Sequence, residues 1–372
     1  ACVPACTFTI RNAKSNASGE YIKLSDFRGA ENQPIKTLEA IKDDTVKYRY
    51  TEESQNFSKI PGSPIGYWVT NLIREIFQKN KKIEDFSELK VGLQTGDNNQ
   101  FVRSWFEVKI NQIGFGSNSR ETFCKSELKW APYNKGGNYR KWYGNQELVV
   151  NWNNDGNEIR HFFNKGKCLA SRPQNMNFYF REGLTWSSLT SAKFSIRYSP
   201  MGFIFDTKGP SLFTKLDIIS YLVAYLNSKV LEHLIKIISP TIDYNPGQLA
   251  NIPIQEISDT IILEKIETLA QENIDISKEE WGSRETSWDF KVNELIKYKD
   301  DSNKLDVAFK NYCEHWKEKF FKLHENEEEL NQLFIDIYDL NDELDNKVPL
   351  SEITILKDEV KERKENELVF KK

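Results

Sequence analysis

The chain has 372 residues with a formal net charge of −4, and 39% of them are hydrophobic, so global disorder is excluded. No apolar run approaches the ~20 residues of a membrane-spanning helix, and the first ten residues lack the basic-then-apolar pattern of a signal peptide. These features predict a soluble, cytoplasmic protein of two or three domains, with no membrane partner.

The net charge hides a separation of charge along the chain. Residues 1–256 carry 33 Lys and Arg against 25 Asp and Glu, whereas residues 257–372 carry 18 against 30. The window 101–200 alone holds 15 basic and 7 acidic residues, together with five of the nine tryptophans. A basic, aromatic-rich stretch beside an acidic one is typical of proteins that bind polyanions.

The first part of the chain favours strands and then a helix. The segments TFTIRN (7–12) and EYIKLSDF (20–27) are rich in β-forming residues. Residues 63–79 have apolar residues at helical spacing, with Ser63 as a candidate N-cap and Pro64 in the first turn.

Short segments dominate the middle of the chain. Gly, Asn and Pro separate them, which predicts a mixed or antiparallel sheet. The strand candidates are FVRSWFEV (101–108), KWAPY (129–133), ELVVNW (147–152), NFYFRE (177–182), SAKFSIRYS (191–199) and GFIFDT (202–207).

Helical periodicity increases towards the end of the chain. Residues 213–238 form the strongest pattern, and further stripes follow at 257–272, 303–323 and 330–338. The whole pattern predicts an α+β fold: a β-rich mixed-sheet domain with packed helices, followed by a mainly α-helical C-terminal region. The predicted division is 1–60 as a β-rich linker, 61–256 as the main domain and 257–372 as a helical region that continues beyond this sequence.

The stretch GLQTGDNNQFVRSW (92–105) has two glycines followed by small polar residues. It is not a phosphate-binding P-loop, because Asp97 stands where the motif requires lysine. We expect a tight turn that Gly92 and Gly96 permit and that Phe101 and Trp105 anchor. The turn would present four polar side chains towards a ligand or another domain, or hydrogen-bond to itself. These are Gln94, Thr95, Asn98 and Asn99.

Catalytic and metal motifs are weak. The five cysteines have no CxxC spacing and the four histidines form no HExxH motif, which argues against a disulfide framework and a zinc site. A magnesium-dependent nuclease site can be drawn from Asp97, Glu127 and Lys129, although ExK is common in charged chains. The chain has no Pro-Pro dipeptide for an adenine-binding turn, so we expect no catalytic residue in it.

Nucleic-acid binding fits the residue types better. Lysine and arginine neutralise phosphates, and arginine, asparagine and glutamine pair with base edges. The alternative is that the aromatics are core residues and the cations a solvated surface. The predicted DNA contacts are Gln94, Thr95, Asn98, Asn99, Arg103, Lys135, Asn138, Arg140, Lys141, Trp142 and Asn245.

Several long stretches resemble the C-terminal, specificity-determining half of BREX-type (PglX-like) adenine-specific DNA methyltransferases. The matching stretches, in order, are 21–29, VGLQTGDNNQFVRSWFEV (91–108), KWAPYNKGGNYRKWYGNQELVVNWNNDGNEI (129–159), 178–213, 225–254, ETSWDF (285–290) and 329–344.

The resemblance implies a role for the chain within a larger enzyme. The full-length protein would carry an N-terminal methyltransferase domain that uses S-adenosylmethionine, and this chain would recognise a short sequence in double-stranded DNA. The N-terminal domain and other BREX proteins are the implied partners. No cofactor is expected in this chain, because the family's cofactor motif and catalytic turn are missing. The alternatives are a magnesium-dependent nuclease and a protein-interaction module built on the acidic helical region.

Overall fold

Contacts divide the computed structural model into two units, residues 1–79 and 80–372. The structure describes residues 6–9, 18–27, 29–302, 304–364 and 367–371, with Glu362 described by its backbone alone. The boundaries predicted at 60/61 and 256/257 differ from this division. The second unit keeps the acidic helices with the strands, because side chains of both regions pair with one another, as described below.

The first unit contains one small sheet. Its elements are β1 (Gly19–Ile22), α1 (Asn32–Lys42), β2 (Arg49–Glu52) and α2 (Asn71–Lys79). Strands β1 and β2 pair antiparallel. Of the predicted strand 7–12, residues 7–9 are not in a strand and residues 10–12 lie outside the described residues. The helix predicted from Ser63 begins at Asn71, because Ser63 is left-handed (φ 47°) and Thr70 Oγ1 instead accepts the N–H of Ile73 at 3.3 Å.

Strands and short helices alternate over residues 81–214. They are β3 (Lys81–Lys82), α3 (Ile83–Phe86), β4 (Ser87–Lys90), α4 (Asn98–Phe101), β5 (Val102–Ser104), α5 (Arg120–Lys125), β6 (Trp130–Asn134), β7 (Leu148–Asn151), α6 (Asn153–Arg160), β8 (Gly183–Trp186), β9 (Ile196–Ser199), β10 (Ile204–Phe205) and β11 (Ser211–Thr214). Residues 154–156 within α6 are left-handed.

Two four-stranded sheets organise this part. One has the order β10-β6-β7-β5 and the other β4-β11-β8-β9. Within the first sheet β6 and β5 both run antiparallel to β7, and β10 runs parallel to β6, with Ile204 opposite Tyr133. Side chains of these strands and of the segments that connect them form an aromatic core. It includes Leu93, Phe101, Phe123, Trp152, Phe180 and Phe205.

The strand predicted at 177–182 is wrong. Residues 176–178 form a single 3₁₀ turn, entered through the left-handed Asn175 (φ 53°). Phe180 is also left-handed (φ 68°) and lies buried beside Phe178 and Tyr179. In a strand, Tyr179 would point to the face opposite to that of Phe178 and Phe180, whereas the turn places all three side chains in one core.

Helices dominate the rest of the chain. They are α7 (Ile219–Leu226), α8 (Lys229–Ile238), α9 (Pro246–Ala250), α10 (Thr260–Gly282), α11 (Glu294–Lys297) and α12 (Leu305–Ile337), with β12 (Pro253–Ile254), β13 (Val360–Lys364) and β14 (Glu367–Phe370). The helix predicted over 213–238 is split, since Ser228 Oγ accepts the N–H of Leu231 at 3.2 Å and begins a new helix. The stripes predicted at 303–323 and 330–338 belong to one helix, α12.

The predicted fold class is confirmed. The chain is mixed α and β with several small sheets, followed by a helical C-terminal region. Across the described residues, no helix combines the length and the apolar character that crossing a bilayer requires.

Candidate nucleic-acid interface

The turn at residues 92–101 is held from both sides. Gly92 lies flat against β10, where an added Cβ would stand 1.8 Å from the carbonyl oxygen of Phe205. Gly96 is left-handed, with φ at 82°. Thr95 is buried, and its hydroxyl donates to Asn98 Oδ1 at 2.8 Å. One predicted contact residue, Thr95, is therefore used in a hydrogen bond within the turn. Gln94, Asn98 and Asn99 remain exposed.

The ends of three neighbouring segments meet beside this turn. Leu93 pairs parallel with Asp206, just beyond β10, and the N–H of Asp206 donates to the carbonyl oxygen of Asn134 at the end of β6 at 2.8 Å. Because all three segments run in the same direction, the residues that follow them share one edge. Lys135 follows β6 and Lys208 follows β10.

Asp206 organises the base of this edge. Its carboxylate is buried, accepts the hydroxyl of Tyr133, and also accepts the N–H of Lys208 at 2.7 Å. Burial lowers the pKa of the Lys135 ammonium, and the nearby charge of Asp206 opposes that shift. Lys135 is therefore a partly buried cation in the electric field of the buried Asp206 carboxylate.

Further cations border the turn on its other side. Arg172 pairs with Gln94 in an antiparallel bridge, and its N–H donates to the carbonyl oxygen of Gln94 at 2.7 Å. Residues 162–170 form a hairpin next to Gly96, with Lys165 and Lys167 at its tip. Within the described ranges, the side chains of Lys165, Lys167, Arg172 and Lys208 have no ion-pair or hydrogen-bond partner.

We call this surface the polar edge. It consists of Gln94, Asn98, Asn99, Lys135, Asn138, Lys165, Lys167, Arg172 and Lys208. It combines amides that can pair with base edges and cations that can neutralise phosphates. The exposed Asn138 is included because its loop runs beside Lys208, where a Cβ added at Gly136 would stand 2.9 Å from the Lys208 carbonyl oxygen.

Arg140, Lys141 and Trp142 do not lie on the polar edge. All three are buried. Arg140 Nη2 donates to Glu280 Oε2 at 2.6 Å, and its guanidinium lies over the Trp281 ring.

Glu327 on α12 binds the other two side chains. Its carboxylate accepts Lys141 Nζ and Trp142 Nε1, both at 2.7 Å. Burial alone would lower the pKa of Lys141, but the neighbouring Glu327, Tyr139 and Glu352 together outweigh burial and raise that pKa. These surroundings give Arg140, Lys141 and Trp142 a structural role, so we remove them from the interface expected from the sequence.

Two other predicted contacts are also engaged locally. Arg103 Nη1 donates to the backbone carbonyls of Asn99 and Val102, the latter at 2.7 Å. Asn245 is exposed but caps α9, since its Oδ1 accepts the N–H of Gln248 at 3.1 Å. Each side chain thus uses part of its hydrogen-bonding capacity locally, Arg103 through Nη1 and Asn245 through Oδ1.

The structure gives no support to the nuclease drawn from Asp97, Glu127 and Lys129. Asp97 caps α4, with its Oδ1 accepting the N–H of Gln100 at 3.1 Å. Lys129 Nζ lies over the Trp130 ring at 5.5 Å. Over the part of the chain that the structure describes, no three His, Cys, Asp or Glu side chains come together as metal ligands.

Sequence reasoning missed Lys165, Lys167, Arg172 and Lys208. The first three lie in the basic window 101–200, but they have no neighbouring tryptophan, and the prediction relied on cations beside aromatics. The signal was the short polar run NKGK, which is a turn sequence with two cations and no acidic neighbour.

Comparison with known proteins finds two similar methyltransferases. No protein-family model matches the chain. It is 38% identical over 333 residues to the adenine-specific methyltransferase PglX of Lacticaseibacillus casei (strain Zhang), covering 88% of this chain and 27% of PglX. It is 34% identical over 286 residues to the adenine-specific methyltransferase BrxX of Escherichia coli O9:H4 (strain HS), covering 76% and 22%.

The chain is homologous to part of these adenine-specific methyltransferases. The resemblance seen in the sequence is thereby confirmed. The chain spans about a quarter of the length of PglX and BrxX.

Proposed function

We propose that the chain is the DNA-recognition part of a BREX-type, adenine-specific DNA methyltransferase that acts in the cytoplasm. The observation that carries the proposal is the polar edge, where exposed amides of a turn lie beside four cations that have no side-chain partner among the described residues. The homology to PglX and BrxX supplies the reaction class, because both are named adenine-specific methyltransferases.

The residues at the polar edge suit two kinds of DNA contact. Lysine and arginine neutralise phosphates and so fix position, whereas asparagine and glutamine can form two hydrogen bonds with adenine in the major groove. Lys135, Lys165, Lys167, Arg172 and Lys208 serve the first purpose in this proposal. Gln94, Asn98 and Asn99 serve the second, and so determine which adenine is presented for methylation.

Methyl transfer itself belongs to another part of the full-length protein. An S-adenosylmethionine cleft lies at the carboxyl ends of a parallel sheet. Among the named strands that the structure describes, only β10 and β6 pair parallel, and the sequence has no Pro-Pro dipeptide for the adenine-binding turn. Our proposal therefore assigns S-adenosylmethionine binding to another region of the full-length protein.

The acidic helices would repel phosphates and therefore face protein in this proposal. Residues 257–372 carry 30 acidic against 18 basic residues. The N-terminal methyltransferase domain and other BREX proteins are the proposed partners on that side.

Salt dependence of DNA binding tests the proposal. We expect the chain to bind a mixed-sequence duplex with an affinity that falls steeply with salt. Arg172→Ala with Lys208→Ala should lower the slope of log K against log salt by about 0.9 for each lost phosphate contact. The matched control is Lys299→Ala with Lys317→Ala, two exposed lysines of the helical region, which should leave the slope unchanged. Salt-independent binding, or no binding, would contradict the proposed function.

A further inference from the structure

The hairpin at residues 162–170 has a fixed shape. Phe163 and Leu169 pair across it, and the N–H of Asn164 donates to the carbonyl of Cys168 at 2.9 Å. The side-chain oxygen of Asn164 accepts the N–H groups of Gly166 at 2.9 Å and Cys168 at 3.1 Å, which closes the turn. The tip is therefore held by its own hydrogen bonds and does not need a ligand to form.

The two faces of the hairpin differ in chemistry. Phe162 packs edge-on against Phe101 with ring centroids 5.1 Å apart, and Ala170 lies against Gly96, so this face anchors the hairpin to the turn. Side chains that pair across two strands project to the same face, opposite to that of their neighbours. Phe163 and Leu169 accordingly point away from the core and are 54% and 53% exposed.

Cations accompany this exposed apolar pair. Lys165 and Lys167 stand on either side of Gly166 at the tip, and their ammonium groups have no partner among the described residues. A ligand that covers this face must offer negative charge and apolar surface within a few ångströms. Both DNA grooves and anionic lipid surfaces do so. The hairpin packs beside Gly96, next to the exposed amides of the polar edge, and this position favours DNA.

We propose that the hairpin enters the major groove of duplex DNA and recognises thymine through its 5-methyl group. Lys165 and Lys167 contact the phosphates that border the groove, and the Phe163–Leu169 pair contacts the methyl groups. The major groove admits a two-stranded ribbon, and thymine presents its methyl group only there. The inference rests on the proposed function and adds to it a residue pair and the base that the pair reads.

Removing the methyl group from the DNA tests this inference directly. Binding of the chain is measured by fluorescence anisotropy on two duplexes of one A·T-rich sequence, the second with deoxyuridine at every thymidine position. We expect the deoxyuridine duplex to bind more weakly, by about fourfold for each methyl group that the protein buries.

The variants assign the effect to the hairpin. Phe163→Ser with Leu169→Ser should bind both duplexes equally while keeping the salt slope of the parent. These side chains are more than half exposed, so the melting temperature should fall only slightly. Ile296→Ser with Leu305→Ser, 57% and 69% exposed in the helical region, is the matched control and should still discriminate.

The outcomes separate the two proposals. If the parent binds no duplex, the proposed function and this inference both fail. If the parent binds both duplexes equally, or if Phe163→Ser with Leu169→Ser still discriminates, the hairpin does not read thymine although the proposed function stands. Binding to phosphatidylserine vesicles that this double variant abolishes, with DNA binding unaffected, would assign the hairpin to lipid and overturn the inference.

Discussion

Two basic regions of the second unit differ in what surrounds them. Arg140 and Lys141 are buried, and each meets a carboxylate on a long helix, Glu280 on α10 and Glu327 on α12. Lys165 and Lys167 stand at an exposed hairpin tip, and the structure gives them no partner among the residues that it describes. A buried cation is costly unless it is paired, whereas an exposed unpaired cation is free to bind an anion. Similar residues thus stabilise the fold in one place and form a binding surface in the other.

The largest expected effect is on stability and concerns the buried region. Lys141→Met leaves the Glu327 carboxylate buried without its cation, so the free energy of unfolding should fall by about 3–5 kcal/mol. Urea denaturation measures it. The control is Lys310→Met, which removes an exposed cation 3.6 Å from Glu314 and should cost less than about 1 kcal/mol. If both variants lose the same free energy of unfolding, the buried cation contributes no more to stability than the exposed one.

The exposed amides should control specificity. Asn98→Ala with Asn99→Ala in the full-length protein should weaken discrimination at a recognised base by about 1–3 kcal/mol for each lost pair of hydrogen bonds. Methylome sequencing measures this as a relaxed methylated motif. The exposed Gln271→Ala on α10 is the control. An unchanged motif in the double variant would show that specificity does not reside in these amides.

The buried region should also respond to acid. Burial would raise the pKa of Glu280, but the charges of Arg140 and Arg284, together with the hydrogen bonds from Arg140 and from the N–H of Leu356, outweigh burial and hold that pKa below its ordinary value. A lowered folded-state pKa contributes stability above the unfolded-state pKa of about 4.3, and this contribution is lost as pH falls through the folded value. Glu280→Gln should therefore flatten the fall in unfolding free energy below about pH 4.3, by up to about 1.4 kcal/mol per pH unit.

Denaturation at a series of pH values separates this effect from the substitution itself. Glu314→Gln makes the same exchange at an exposed position. If both variants lose stability in acid as steeply as the parent, the carboxylate of Glu280 is not a source of the acid sensitivity.

The smallest expected effect concerns the turn at the polar edge. Asp97→Ala removes the cap of α4 and should cost about 1 kcal/mol of stability, whereas Asp97→Asn should recover most of it, since asparagine is an equally good cap. Thermal unfolding measures the difference. Magnesium should not shift the melting temperature of the parent. A shift that Asp97→Ala abolishes would restore the metal-site hypothesis.

Helical periodicity made the C-terminal region predictable. The apolar stripes of α8, α10 and α12 repeat every three to four residues, so their existence follows from local spacing alone. The ends of the helices were harder to predict from the sequence. The hydroxyl of Ser228 caps a new helix and so divides a continuous apolar pattern into two helices.

Contacts between residues far apart in the sequence determine which cations are buried and which loops form the polar edge. Arg140 and Lys141 meet carboxylates 140 and 186 positions away, and no local pattern shows whether a cation will find such a partner. The polar edge likewise depends on Leu93 lying beside Asp206, a pairing that brings distant loops together. The left-handed conformations at Asn175 and Phe180 interrupt a segment whose residues are typical of a strand, and the left-handed Phe180 is rare for an aromatic residue, so residue type alone did not reveal it.

The ion pairs from Arg140 and Lys141 to the two long helices have a consequence for protein engineering. The donors of these bonds are Arg140, Lys141 and Trp142, and the acceptors are the carboxylates of Glu280 and Glu327. A chimera of two relatives joined near position 256 would match cations from one parent with helices from the other. Grafts that exchange residues 80–372 together keep every such pair intact, and we expect this unit to be the smallest piece that can be transplanted between relatives in working form.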